Sequence, residues 1–166
     1  MVNHRMLLVG APQDNWENGK HLAMSVLTDF VTVKSDEAEL VCRSLNPSED
    51  FAGTDAKGID TVKMGTLHAI LADVEADPAF MSDFVCQAGE DGPWVSEVPQ
   101  DMVRKLAELA PADLRSIGAR WAATGEFAVK YGGWPLEAVR RFLQNLAIMR
   151  TQALSEDKTV LMWICL

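Results

Sequence analysis

The stretch Thr159-Val-Leu-Met-Trp-Ile-Cys-Leu166 constrains the fold more than any other part of the chain. It follows the turn-forming Ser155-Glu-Asp-Lys158 and is apolar at successive positions rather than at alternate ones. Side chains of a strand point alternately to opposite faces of its sheet. A run without polar alternation therefore needs apolar cover on both faces. The reading is a central strand of a small sheet, and loss of this run is expected to unfold the chain. The rest of the sequence must supply cover above and below it. With 48% hydrophobic residues in 166, it has enough apolar material for a real core and too much for a disordered chain.

That cover is legible as helices. Asp60 is placed to cap a helix over about residues 61–75, with Val62, Leu67, Ile70 and Leu71 at helical spacing and Gly65 weakening it slightly. Pro99 opens a helix with the stripe Met102, Val103, Leu106, Leu109. Ala110-Pro111 ends it and starts another, striped Leu114, Ile117, Trp121 and stopped at Thr124-Gly125. Pro135 opens the longest helix, to about Leu154, with the stripe Leu136, Val139, Leu143, Leu146 widened by Phe142 and Met149. Shorter helices are expected from Ser35 to about Leu45, stopped by Asn46-Pro47, and from Asp77-Pro78 to about Val85.

Strands are expected at Arg5–Val9, at Asp29–Lys34 and, as a short extended piece, at Val95–Val98. Asn46 to Gly58 reads as the longest irregular segment and a mobile surface loop. The length suits a single domain over 1–166. The expected class is α+β, a helical majority packed around a small sheet that includes the N-terminal and C-terminal strands.

Charge narrows the function classes. The net charge is −9, but residues 1–100 carry six basic against 17 acidic residues, while 101–166 carry nine against seven. A pI near 4.7 speaks against a nucleic-acid partner, which needs a basic face for phosphates. No apolar run approaches the roughly 20 residues of a membrane-spanning helix. The N-terminal apolar run Met6–Val9 is shorter than the roughly 7–15-residue core of a signal peptide, so the cytoplasm is the expected compartment. Cys42, Cys86 and Cys165 are odd in number and widely spaced, which fits buried reduced thiols rather than a disulfide framework or a zinc site.

Catalytic signatures are missing from the sequence. There is no phosphate-binding G-x-x-x-x-G-K-[ST], no G-x-G-x-x-G, no H-E-x-x-H and no G-x-S-x-G. No cofactor and no metal are expected, and an enzyme is the less favoured class. His68 is the one candidate general base, if a distant carboxylate reaches it; a hydrogen-bonded structural histidine is the plainer reading. Trp94 and Trp134 lie in Gly/Pro turns, Gly92-Pro-Trp94 and Gly132-Gly-Trp-Pro135. There a large ring either caps the core edge or lines a binding pocket. Glu126, between Trp121 and Trp134, could anchor a cationic ligand group, or simply pair with Arg120, Arg140 or Arg141. Glu49, Asp50 and Asp55 concentrate charge in the 46–58 segment.

Three stretches, Ala56-Lys-Gly-Ile-Asp-Thr-Val-Lys-Met-Gly-Thr-Leu-His-Ala-Ile-Leu71, Gly89-Glu-Asp-Gly-Pro-Trp94 and Arg120-Trp-Ala-Ala-Thr-Gly-Glu126, resemble a set of short bacterial proteins of unknown function. The resemblance covers about residues 55–166. It implies a bacterial cytoplasmic source, no particular activity and no catalytic residues.

The favoured function is an acidic cytoplasmic protein that binds a basic protein partner, in the manner of an immunity protein, through Glu49, Asp50 and Asp55. The alternative is a small-molecule-binding enzyme or sensor with a pocket around Trp94, Glu126 and Trp134. Self-association as a homo-oligomer through an uncovered helix face is the third reading.

Overall fold

The computed structural model describes residues 26–128 and 133–166. The expected strand at Arg5–Val9 lies outside them. The elements run β1 (Leu27–Val33), α1 (Ala38–Arg43), α2 (Pro47–Asp50), β2 (Ala52–Asp55), α3 (Thr61–Ala72), β3 (Cys86–Gln87), β4 (Trp94–Glu97), α4 (Gln100–Glu108), α5 (Pro111–Ala122), α6 (Leu136–Ser155) and β5 (Thr159–Cys165). The strands form one antiparallel sheet in the order β2-β1-β5-β4-β3, so the C-terminal strand is its centre. The class is α+β with more helix than strand.

β5 explains its own composition. Val160 and Met162 point to one face, joined by Phe30 from β1, and lie in the larger core with Leu67, Met102, Leu106, Trp121, Leu143 and other residues of α3 to α6. Leu161 and Trp163 point to the other face, in a second core with Val31, Val33, Val41, Cys42 and Val95. Both faces are covered, and the strand has no polar alternation because neither face meets water.

Helix starts follow the sequence. The Asp60 carboxylate accepts the Lys63 backbone N–H at 2.8 Å, and α3 closes on Asp73 in the left-handed region (φ 56°). Its buried face is Lys63, Met64, Gly65 and Leu67, whereas Val62 is exposed, so the expected stripe is displaced at its first residue. Gly65 lets Phe80 approach this face closely, since a Cβ there would sit 3.2 Å from Phe80 Cβ.

Two expectations are overturned. The segment 46–58 is ordered: Pro47 opens the single turn α2, and Ala52–Asp55 pair with β1 as an edge strand. Gly53 permits the close approach, since a Cβ there would lie 2.5 Å from the Phe30 carbonyl oxygen. The expected helix from Asp77 to about Val85 is a series of turns. The Asp77 carboxylate accepts the Ala79 N–H at 2.8 Å, Met81 takes φ 60°, and the Met81 carbonyl accepts the Ser96 hydroxyl at 3.2 Å. The two-residue strand β3 follows these turns.

Candidate functional site

Glu126 and Trp134 lie in one place and Glu49, Asp50 and Asp55 in another, and the two differ in how their polar groups are satisfied; Trp94 and His68 stand apart from both.

The first surrounds the start of α3. Lys63 is 4% exposed, its Nζ 3.3 Å from Asp60 Oδ2 and 5.7 Å from the centre of the Phe127 ring. The Lys63 carbonyl accepts Trp121 Nε1–H at 2.9 Å, which locks the fully buried indole beneath it. Glu126, in the 3₁₀ turn Gly125–Phe127, has its carboxyl held below the usual carboxylate range. The main cause is a hydrogen bond from its own backbone N–H. Burial opposes this, while the Thr124 and Thr66 hydroxyls and the Lys63 charge reinforce it. The cation beside Glu126 is thus Lys63, not an arginine; Arg140 pairs with Glu137 at 2.6 Å. Trp134 lies alongside. Its Nε1–H donates to the Lys57 carbonyl at 2.9 Å and its ring meets Phe142 edge-on at 5.8 Å.

Trp94 shares no partner with Glu126 or Trp134 among the described residues. It begins β4 opposite Gln87 and Ile164, its ring 6.3 Å from Phe84 and packed against Gly92. His68 stacks on Phe80 with ring centres 4.7 Å apart. Its Nε2 is 4.0 Å from Asp101 Oδ2, beyond hydrogen-bond reach.

The second place is the β2 edge. Glu49, Asp50 and Asp55 are all exposed, and no cation pairs with them among the described residues. Asp50 accepts the Ser44 hydroxyl at 2.6 Å, and Asp55 accepts the Lys57 N–H at 2.8 Å. Between β2 and α6 lies an open depression of about 240 Å³ lined by Gly53, Thr54, Asn145, Ile148 and Met149. Ile148 is 56% exposed.

Sequence reasoning missed Lys63 and the β2 depression. A lysine between Val62 and Met64, three residues after a capping Asp, was the available signal for the first. The second depends on pairing with β1 and on α6, far away in sequence. The three cysteines are free thiols, but only Cys42 is fully buried. Burial, then the Cys86 thiol beside it, pushes Cys42 up to about 12. Among the described residues no group of three or more His, Cys, Asp or Glu side chains could hold a metal, and no helix is long and apolar enough to cross a membrane.

No family model matches the sequence, and no curated protein does. Among solved structures, the chain is similar to a protein of unknown function, YfbM from Escherichia coli. The TM-score is 0.42 at 13% identity, over 83% of this chain and 99% of that one. This is again a resemblance to a short bacterial protein of unknown function, and at that distance it brings no activity with it.

Proposed function

We propose that this is a binding protein of the bacterial cytoplasm that offers the acidic β2 side of its sheet to a basic protein partner, as an immunity protein does to its toxin. The observation that carries the reading is the contrast in pairing. The buried Lys63 and the carboxylates near it are satisfied within the fold, whereas Glu49, Asp50 and Asp55 are exposed and pair with no cation among the described residues. Uncompensated charge of one sign costs the free protein some self-repulsion and speeds the approach of an oppositely charged partner. The small-molecule reading draws less support. Trp134 Nε1–H and the Glu126 carboxylate are engaged with neighbours of the fold, and Trp94 stands apart from them.

The test is a pull-down with the tagged full chain at low and high salt, alongside the triple variant Glu49→Lys/Asp50→Lys/Asp55→Lys. A basic protein should be retained at low salt, released at high salt and lost with the variant. The variant should stay folded, its thermal midpoint lowered by only a few degrees, because the three positions are exposed and lose just the local hydrogen bonds to the Ser44 hydroxyl and the Lys57 N–H. Equal retention by the folded variant and the parent would sink the reading.

A further inference from the structure

The edge of β2 offers more than charge. The Ala56 N–H donates to the Thr28 carbonyl at 2.8 Å, and the Gly58 N–H to the Val26 carbonyl at 2.9 Å. Both pairs belong to the same register as Phe30↔Thr54 and Thr32↔Ala52. In an antiparallel ladder hydrogen-bonded pairs alternate with non-bonded ones, so Ala52 and Thr54 turn their backbone groups inward to β1. Gly53 and Asp55 turn theirs outward. Both residues are exposed, and β2 is the last strand on its side of the sheet among the described residues. Among the described residues the Gly53 N–H and C=O and the Asp55 N–H have no partner, and the Asp55 carbonyl carries only a long 3.4 Å contact from the Thr54 hydroxyl. One position further on, the Lys57 N–H is taken by the Asp55 carboxylate, so the open stretch spans two outward residues.

The two flanks of this edge differ in chemistry. A Cβ on Gly53 would lie 2.8 Å from Val31 Cγ1 and 3.2 Å from Ser48 Cα, so Gly53 and Asp55 face the α2 side, where Glu49 and Asp50 sit. Thr54 faces the opposite side, its hydroxyl 3.5 Å from Asn145 Nδ2, beside the depression with the exposed Ile148.

We propose that β2 is a strand-addition site, and that its occupant is an extended segment of the basic partner protein that alternates basic and apolar residues. The segment pairs with Gly53 and Asp55 through its main chain. Its basic side chains lie toward Glu49, Asp50 and Asp55, and its apolar ones lie over Ile148. The proposal rests on the reading of this face as the site for a basic partner and adds how that partner is held. A second copy of the chain does not fit the edge, since pairing β2 with β2 brings two sets of exposed carboxylates together.

The probe is a blocked peptide of about six residues alternating lysine and valine, added to the isotopically labelled full chain. Two control peptides carry glutamate for lysine, or proline at the central positions. Amide hydrogen exchange read by NMR should slow at least about tenfold at Gly53 and Asp55 and stay unchanged at Ala52 and Thr54. Neither control should protect, because one has the wrong charge and the other lacks the N–H donors. Ile148→Lys, on an exposed helix position, should weaken the lysine–valine peptide about tenfold with the fold intact.

Binding without protection at Gly53 and Asp55, or equal binding of the proline peptide, overturns strand addition while leaving the acidic-face reading to its own pull-down. Absence of binding by the lysine–valine peptide also overturns it. Protection of the same amides in the chain alone, growing with its concentration, names a second copy as the occupant and overturns the basic segment. A pull-down unaffected by charge reversal, with the peptide still protecting the edge, removes the functional reading alone.

Discussion

The start of α3 and the edge of β2 are both rich in acidic residues, yet the fold treats them in opposite ways. At α3, the Asp60 carboxylate caps a helix and meets Lys63 Nζ, and Glu126 is stabilised by its own backbone N–H, two hydroxyls and the same lysine. At β2, Glu49, Asp50 and Asp55 are exposed and, among the described residues, accept at most a neutral local donor. A charge taken out of water must be compensated by the fold or it destabilises it. A charge left in water carries no such requirement and remains available to a partner. The comparison therefore separates carboxylates that build the molecule from carboxylates that can act outside it.

The largest loss is expected where the α3 region is packed most tightly. Trp121→Ala empties a fully buried site next to Phe127 and Phe142 and removes the N–H donor to the Lys63 carbonyl. It should cost about 3–5 kcal/mol in denaturant unfolding, and a loss near zero would show that the α3 region is not part of the cooperative core. Lys63→Met comes next. It keeps the apolar stem and removes the ammonium between Asp60 and Phe127. With Asp60 side chain 36% exposed and able to rehydrate, the loss should be about 1–2 kcal/mol. A more stable variant would mean that the desolvated ammonium, not its pairing, dominates there.

The smallest effect is at Glu126. Its folded carboxyl is held below the ordinary value of 4.5, so its contribution is present above that value and is lost as pH falls through the folded one. Glu126→Gln should therefore cost about 0.5–1 kcal/mol at neutral pH. The gap from the parent should close as the medium is acidified below the ordinary value. A gap that persists unchanged in acid would assign the effect to packing instead of charge.

How much of this was legible follows the range of the interactions. α4, α5 and α6 were readable because their signals are local: a proline at or next to the first turn, and an apolar stripe that repeats every three or four residues. Trp121 was assigned to the core on that basis and is fully buried. β2 was not readable. Ala-Gly-Thr-Asp has weak strand preference, and only the free side of β1 makes it a strand. The helix expected after Asp77-Pro78 failed for a related reason: Asp77 can start a turn as readily as a helix, and contacts with β4 and α3 chose the turn. Of the candidate site residues, the sequence could mark Glu126, Trp94 and Trp134 as unusual. It could not see that Thr66 and Lys63 of α3 add to the hold on the first, that Phe84 and Gly92 pack against the second, or that the Lys57 carbonyl engages the third.

The sequence by itself determined that β5 lies at the centre of the sheet, because an unalternating apolar strand is stable only when covered on both faces. It also determined where the long helices begin, because caps and prolines act on the nearest few backbone groups. Only the tertiary structure decided which carboxylates are satisfied and which are open. Those outcomes depend on what lies opposite each group: Glu126 is held first by its own backbone N–H, but Thr66 and Lys63 of α3 reach it, and β1 reaches β2, through pairings distant along the chain.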